Sequence, residues 1–275
     1  MKILITGGTG FVGQYVIHEL IKQEHEIIVV AVDKKKAKQF EWYNQVQFIY
    51  HDIHKSKMDL NNFGNPKTVI HLAWMGLPNY QSLHHIEENL PAQRRFLQML
   101  VDQGVEQVLV TGTCLEFGKQ NGPLAENMPT FPDVPYAVAK DELRKWLQTL
   151  EAEKGFTMQW VRLFYIYGKG QNPNSILSQL DRAIDNKETI FNMSGGEQLR
   201  DYLPIEKVAK ILVSIVNQPE KHGILHCCSG EPISIKRLVE EHIKKRNSKI
   251  KLNLGYYPYL KYEPMAFWGE NNFLN

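Results

Sequence analysis

Thr6-Gly7-Gly8-Thr9-Gly10-Phe11-Val12-Gly13 follows the apolar run Ile3-Leu4-Ile5 and precedes Val16, Ile17, Leu20 and Ile21 at helical spacing. A buried strand, a glycine turn and a helix in that order form the context in which G-x-G-x-x-G reads as a dinucleotide fingerprint. Gly8 and Gly10 permit the tight turn and let backbone N–H groups approach a pyrophosphate, and Gly13 lets the helix pack closely on the strand. The helix N-terminus turns its partial positive charge towards the phosphates. Gly7, Gly10, Phe11, Val12 and Gly13 are therefore the expected cofactor-binding residues of this segment.

Outward from this stretch, strand and helix patterns alternate through the first two thirds of the chain. Glu26 to Val32, Val46 to Tyr50, Thr68 to Leu72, Gln107 to Val110 and Thr157 to Leu163 read as strands. Gln81 to Val101 reads as a long amphipathic helix with Pro91 inside it, where it is expected to kink the helix. Tyr136 to Leu150 reads as another helix. Such alternation means an α/β fold with a doubly wound parallel sheet. After Gly168 the pattern loosens, with helices expected over Ile176 to Ile184, Ile205 to Val216 and Ile233 to Ile243. A smaller C-terminal substrate-binding lobe fits this change and the length of 275 residues.

A net charge of +2 gives no general reason to expect nucleic acid or an anionic membrane surface as partner. No run of about 18 apolar residues exists, so no membrane partner is expected. The first residues read as a core strand and not as a signal peptide. Cys114, Cys227 and Cys228 have no metal-ligand spacing, and no metal is expected. Reduced thiols in a cytoplasmic protein follow. The block Lys34-Lys35-Lys36 reads as a solvated turn unless a phosphate lies nearby.

Tyr136-Ala137-Val138-Ala139-Lys140 puts a phenol and an ammonium one helical turn apart on one face. An ammonium beside a phenol is expected to lower its pKa, which suits a general acid/base serving a carbonyl or hydroxyl. With the glycine fingerprint, these residues resemble the short-chain dehydrogenase/reductase superfamily, in its extended branch acting on nucleotide sugars (the NAD-dependent epimerase/dehydratase family). The resemblance covers nearly the whole chain. It implies a Rossmann domain over 1–165, rejoined by 203–228, and a substrate-binding lobe from 166–202 and 229–275. On the match of Val108 to Gly118, Thr113 takes the place of the catalytic Ser/Thr beside Tyr136 and Lys140, with Phe117 where a Tyr is usual. Asp52 and Ile53 match an adenine-contacting pair. His71-Leu72-Ala73 matches the segment lining the cofactor ribose and nicotinamide, so Leu72 and Ala73 are expected on the cofactor and Trp74 on the substrate. Asn89 matches a cofactor-side Asn of the following helix.

Arg200-Asp201-Tyr202 resembles the motif whose arginine grips the pyrophosphate of a sugar nucleotide, and Phe191 matches the position that packs on the base. Where sugar 4,6-dehydratases carry Asp-Glu after the catalytic Thr, this chain has Cys114-Leu115, which argues against elimination. Together with Glu263 to Gly269, the pattern is most similar to NDP-4-keto-6-deoxyhexose reductases. A 4-epimerase with tightly held NAD stays open, as does a non-catalytic dinucleotide-binding sensor or scaffold. The family pattern places Ala31 where an acid would hold the NAD ribose, and Lys34 and Lys35 near a 2′-phosphate. A modest preference for NADP over NAD is expected, opposed by Asp33, 20 residues past Gly13. The chain ends at Asn275, about where the family's last helix would begin, so a missing cap or a truncation is expected. A homodimer is expected through the outward faces of the two long helices, with Phe96, Met99, Trp146 and Leu147 as candidates for burial.

Overall fold

Alternation along the first strand sets up two cores, because successive side chains leave a strand on opposite faces. Ile3 and Ile5 enter one cluster, Leu4 enters the other, and all three are fully buried. The computed structural model describes residues 1–55, 58–259 and 264–270. In chain order its strands and helices are β1 (Lys2–Thr6), α1 (Phe11–Lys22), β2 (Glu26–Ala31), α2 (Lys34–Ala37), β3 (Gln47–Tyr50), β4 (Thr68–His71), α3 (Leu90–Asp102), β5 (Gln107–Thr113), β6 (Gly122–Leu124) and α4 (Pro135–Lys154). There follow β7 (Thr157–Leu163), β8 (Tyr165–Tyr167), α5 (Ile176–Asp185), β9 (Ile190–Asn192), β10 (Leu199–Arg200), β11 (Tyr202–Pro204) and α6 (Ile205–Val216). The last are β12 (Gly223–Cys227), β13 (Ile233–Ser234), α7 (Ile235–Lys245), β14 (Lys251–Asn253) and β15 (Phe267–Gly269).

Seven strands form one parallel sheet in the order β12-β7-β5-β4-β1-β2-β3. Helices α1 and α6 cover one face through Val16, Ile17, Leu20, Val208 and Leu212. Helices α3 and α4 cover the other through Phe96, Leu97, Leu100, Leu143 and Leu147. This is the doubly wound Rossmann architecture. Strand order reverses between β1 and β4, and such a switch point opens a crevice at the strand C-termini. A third cluster joins α5 and α7 through Leu177, Leu180, Leu238 and Val239, with Phe191 and Met193 from β9 and its end. Ser234 caps α7 by accepting from the Arg237 amide.

Several expectations needed correction. The helix expected from Gln81 starts later: 85–89 form a π-turn that runs into α3. Pro91 falls in the first turn of α3, where the missing N–H is tolerated, so it starts the helix and does not kink it. Strand β5 continues past Val110 to Thr113 because Thr111, Gly112 and Thr113 pair with Val161, Arg162 and Leu163. Lys34 to Lys36 form a short helix, capped by the Asp33 carboxylate accepting from the Lys36 amide at 2.8 Å. The outward faces of α3 and α4 are not apolar. They carry exposed Arg94, Arg95, Glu142, Lys145 and Gln148. Phe96 and Leu147 lie inside the chain's own core, and only Met99 and Trp146 remain partly exposed. Among the described residues no helix is long and apolar enough to cross a membrane. Glu263 and residues 271–275 lie outside the described residues.

Candidate active site

The glycine turn ends β1 and starts α1 at the switch point. Gly10 stands at the helix N-cap and donates to the Gly7 carbonyl at 2.9 Å. A Cβ on Gly13 would lie 2.3 Å from the Gly7 carbonyl oxygen, so only glycine lets the helix close on the turn. The first helical turn leaves the amides of Phe11, Val12 and Gly13 without intrahelical acceptors. Those three residues, with Gly7 and Gly10, line one end of a cavity of about 570 Å³. Amides converging at a helix N-terminus suit a pyrophosphate, and this cradle fits a dinucleotide.

The same cavity continues past Leu72 and Trp74 to Thr113, Tyr136 and Lys140. Strand β5 delivers Thr113 and the first turn of α4 delivers Tyr136, so separate elements bring together residues far apart in sequence. The Thr113 hydroxyl bonds the Tyr136 phenol and also accepts from the Leu115 amide at 3.3 Å. Lys140 donates to the Thr111 carbonyl at 2.9 Å and lies 4.1 Å from the Trp74 ring centre. Burial lowers Lys140 to about 7, with the Glu116 carboxylate opposing.

Tyr136 departs from expectation. Burial pushes its phenol above the usual range, Tyr80, Glu116 and Cys114 add to this, and the Thr113 bond opposes it. Proximity of the lysine in sequence did not decide the sign, because desolvation of a buried phenolate outweighs it. Trp74 is fixed from behind: its indole N–H donates to His85 Nδ1 at 3.0 Å, and His85 Nε2 donates to the Asn79 carbonyl at 2.8 Å. Tyr80, Leu77 and Pro78 complete an apolar rim beside Tyr136.

Other expected site residues fall elsewhere. Asn89 is buried and donates to the Met75 carbonyl at 2.9 Å, so it holds the Trp74–Met75 segment and does not line the cavity. Asp52 accepts from the His54 amide and pairs with Lys55, and Ile53 packs on the α3 side of the core. Neither lines the cavity, nor do Asp33 and Lys34 at the end of β2. Ala73 is held in a closed ring of hydrogen bonds. Its amide donates to Thr6 Oγ1 at 3.2 Å, and its carbonyl accepts from Gln93 at 3.2 Å. His71 joins the other two, with Nδ1 at 2.9 Å from Thr6 Oγ1 and Nε2 at 2.5 Å from Gln93 Oε1. Burial drops His71 to about 3, so this ring is neutral.

Phe191 lines a second cavity of about 300 Å³ with Met193, Gln198, Tyr257 and Tyr259. Arg200 lines neither cavity. It is 1% exposed, donates to the carbonyls of Leu199, Pro264 and Met265, and stacks 4.6 Å from the Phe267 ring centre. Neighbouring Asp201 accepts from the Ser229 and Gly230 amides. In this structure the guanidinium ties the 264–269 segment to β10, a use that the Arg-Asp-Tyr pattern did not show.

Glu116 escaped the reading of the sequence. It is fully buried and its carboxylate accepts from the Thr113 amide at 2.9 Å, closing a capping box on the turn after β5. The Thr-x-x-Glu spacing from Thr113 was the signal that could have found it.

A family model for the NAD-dependent epimerase/dehydratase family matches residues 3–227. The chain belongs to this family. It is accordingly an enzyme of NAD-dependent chemistry. It is 32% identical to dTDP-6-deoxy-L-talose 4-dehydrogenase (NAD(+)) of Aggregatibacter actinomycetemcomitans, over 98% of this chain and 99% of that protein. It is 26% identical to dTDP-4-dehydro-6-deoxyglucose reductase of Escherichia coli, over 90% of this chain and 82% of that protein. Its fold is similar to that of a UDP-N-acetylglucosamine 4-epimerase from Methanobrevibacter ruminantium in complex with UDP-N-acetylmuramic acid, with a TM-score of 0.88 at 21% identity over 99% of this chain and 90% of that one.

Proposed function

We propose that this protein interconverts a 4-keto and a 4-hydroxyl group on a nucleotide-activated 6-deoxy sugar, acting as its NAD(P)-dependent reductase. The observation that carries the reading is the single cavity joining the α1 N-terminus to Thr113, Tyr136 and Lys140. Gly7, Gly10 and the first turn of α1 would hold a dinucleotide, whose nicotinamide would supply or take the hydride at C4. Tyr136 gives its proton to the developing alkoxide, the Thr113 hydroxyl steadies that oxygen, and the Lys140 ammonium stabilises the phenolate left behind. Cys114 and Leu115 offer no carboxylate for elimination, and the apolar rim of Leu77, Pro78 and Tyr80 suits a methyl group at C5. The two relatives above carry names that describe redox chemistry on a 6-deoxy sugar. In this reading 1–165 and 203–228 hold the cofactor, while 166–202 and 229–275 hold the sugar nucleotide, with Phe191 on the base.

For the cofactor the structure shifts the balance towards NAD. Ala31 is buried at the end of β2 and offers no acceptor. Asp33 uses one carboxylate oxygen on the Lys36 amide, and the other accepts nothing among the described residues, so it can take a ribose hydroxyl. The first relative is named for NAD(+). Lys34 and Lys35 are exposed and attract a 2′-phosphate only weakly. Self-association through α3 and α4 would rest on Met99, Trp146 and their charged neighbours, and light scattering at micromolar concentration reads it. Buried cysteines, none in a disulfide, suit a cytoplasmic enzyme.

The deciding experiment offers a panel of 4-keto-6-deoxy sugar nucleotides with NADH and NADPH and follows the nicotinamide absorbance. Oxidation of the reduced cofactor by at least one member is expected. Purified protein that retains NAD and interconverts C4 epimers without net oxidation would make it an epimerase. Cofactor binding with no turnover of any sugar would leave a sensor or scaffold.

A further inference from the structure

The carboxylate of Glu116 lines neither cavity, yet it joins the Thr113 backbone to Trp160, Arg162 and Arg144. Glu116 Oε1 accepts from the Thr113 amide at 2.9 Å and from the Trp160 indole at 3.1 Å. Glu116 Oε2 accepts from Arg162 Nε at 2.7 Å, and Arg144 Nε lies 3.8 Å away. Arg162 is fixed in turn by the Glu126 carbonyl at 3.0 Å and by the Phe117 ring at 4.4 Å. Gly112 has no side chain because a Cβ there would meet Trp160 Nε1 at 2.2 Å and Glu116 Oε1 at 2.5 Å. The backbone of β5 is thus cut away to let a buried charge reach the amide of its last residue.

We propose that Glu116 is a positioning residue for the reaction at this site. It clamps the Thr113 backbone so that the Thr113 hydroxyl faces Tyr136 and the reacting oxygen, and it holds a compensated negative charge behind Lys140. The inference rests on the reading of Thr113 and Tyr136 as the proton-handling pair. A plain capping role would need only one buried acceptor; a carboxylate matched to two arginines and an indole holds the turn in one position. Such positioning matters because a shift of about 1 Å at a reacting group can cost about 10²-fold in rate. Burial lowers Lys140 and Glu116 opposes that, so loss of the carboxylate charge shifts the lysine further down.

Three variants test this. Glu116→Gln keeps the shape but turns an amide N–H₂ against Arg162. It is expected to lower kcat about 10- to 100-fold, with KM for the sugar nucleotide within about twofold. The alkaline limb of its kcat–pH profile is expected to move to lower pH. Glu116→Asp keeps the charge but is too short to bridge Thr113 and Arg162, so it should restore the pH limb without restoring kcat. Glu116→Leu with Arg162→Met removes both charges at similar volume and is expected to fold, because apolar replacement of a buried pair is often tolerated. It should still lose about 10²-fold in kcat. A double variant with native kcat, or Glu116→Gln with an unshifted pH profile and a kcat within threefold of native, overturns the proposal. If the native protein turns over no sugar nucleotide, the proposed function has failed. Glu116 is then read from amide exchange at Thr113, expected at least tenfold faster in the double variant; equal exchange there also overturns the clamp.

Discussion

Tyr136→Phe removes one oxygen and little else. Tyr136 is 8% exposed, and its ring meets Trp74, Tyr80 and His85 at centroid distances of 5.9, 5.4 and 5.4 Å, all of which Phe retains. The hydroxyl bonds Thr113, whose own oxygen still accepts from the Leu115 amide in the variant. The Thr113 hydroxyl keeps one of its two hydrogen bonds, so the stability cost is that of one ordinary hydrogen bond, about 0.5–1.5 kcal/mol. For a chain of this size that is a change in Tm of about 1–6 °C. The catalytic cost is different in kind. Without the phenol no proton reaches the developing alkoxide, and general acid catalysis of this sort contributes about 10²–10⁴-fold, or about 2.7–5.5 kcal/mol in the barrier. Single-turnover measurement of nicotinamide oxidation, paired with cofactor titration by fluorescence, separates the two. The expected result is a loss of at least 10²-fold in the chemical step with cofactor affinity nearly native. A loss of less than tenfold, or one matched by an equal loss of cofactor affinity, would refute the assignment of Tyr136 as the acid.

Thr113→Val should lower kcat by less than Tyr136→Phe, whereas Thr113→Ser should stay within a few-fold of native; steady-state kinetics of the two decide whether the hydroxyl or the methyl matters. Lys140→Met should raise stability most at low pH. The folded lysine titrates near 7 against 10.5 unfolded, so its ionisation opposes folding fully below 7 and progressively less up to about 10.5. The gain, on the order of a few kcal/mol before lost contacts are subtracted, should shrink towards pH 10 in thermal melts; a gain that grows with pH contradicts this. Arg200→Ala should lower Tm and loosen the 264–269 segment, seen as faster amide exchange there, by removing donors to three carbonyls. Native exchange with weakened sugar-nucleotide binding alone would restore the pyrophosphate role. Asp33→Ala should shift preference from NADH towards NADPH by about three- to thirtyfold, read as the ratio of kcat/KM at low salt.

The chain on its own specified the architecture and pointed to the residues proposed here as the reacting groups. Alternating apolar runs, the turn from Gly7 to Gly13 and the Tyr136/Lys140 spacing are local signals, and local backbone geometry is what sequence periodicity encodes. Thr113, Tyr136, Lys140 and the glycine turn line one cavity. What the tertiary structure decided is how each polar group is spent. Arg200 looks from sequence like a hand for phosphate, and the structure shows it donating to the carbonyls of a segment 64 and 65 residues away. Asn89 and Ala73 were expected at the cofactor; here Asn89 holds the Met75 carbonyl, and Ala73 is held by Thr6 and Gln93. Phe96 and Leu147, candidates for burial between subunits and core, belong to the core. The sign of the Tyr136 shift belongs to the same class. A buried donor or charge takes the nearest acceptor that offsets its desolvation, and which acceptor is near depends on chain crossings between distant residues that no local pattern records.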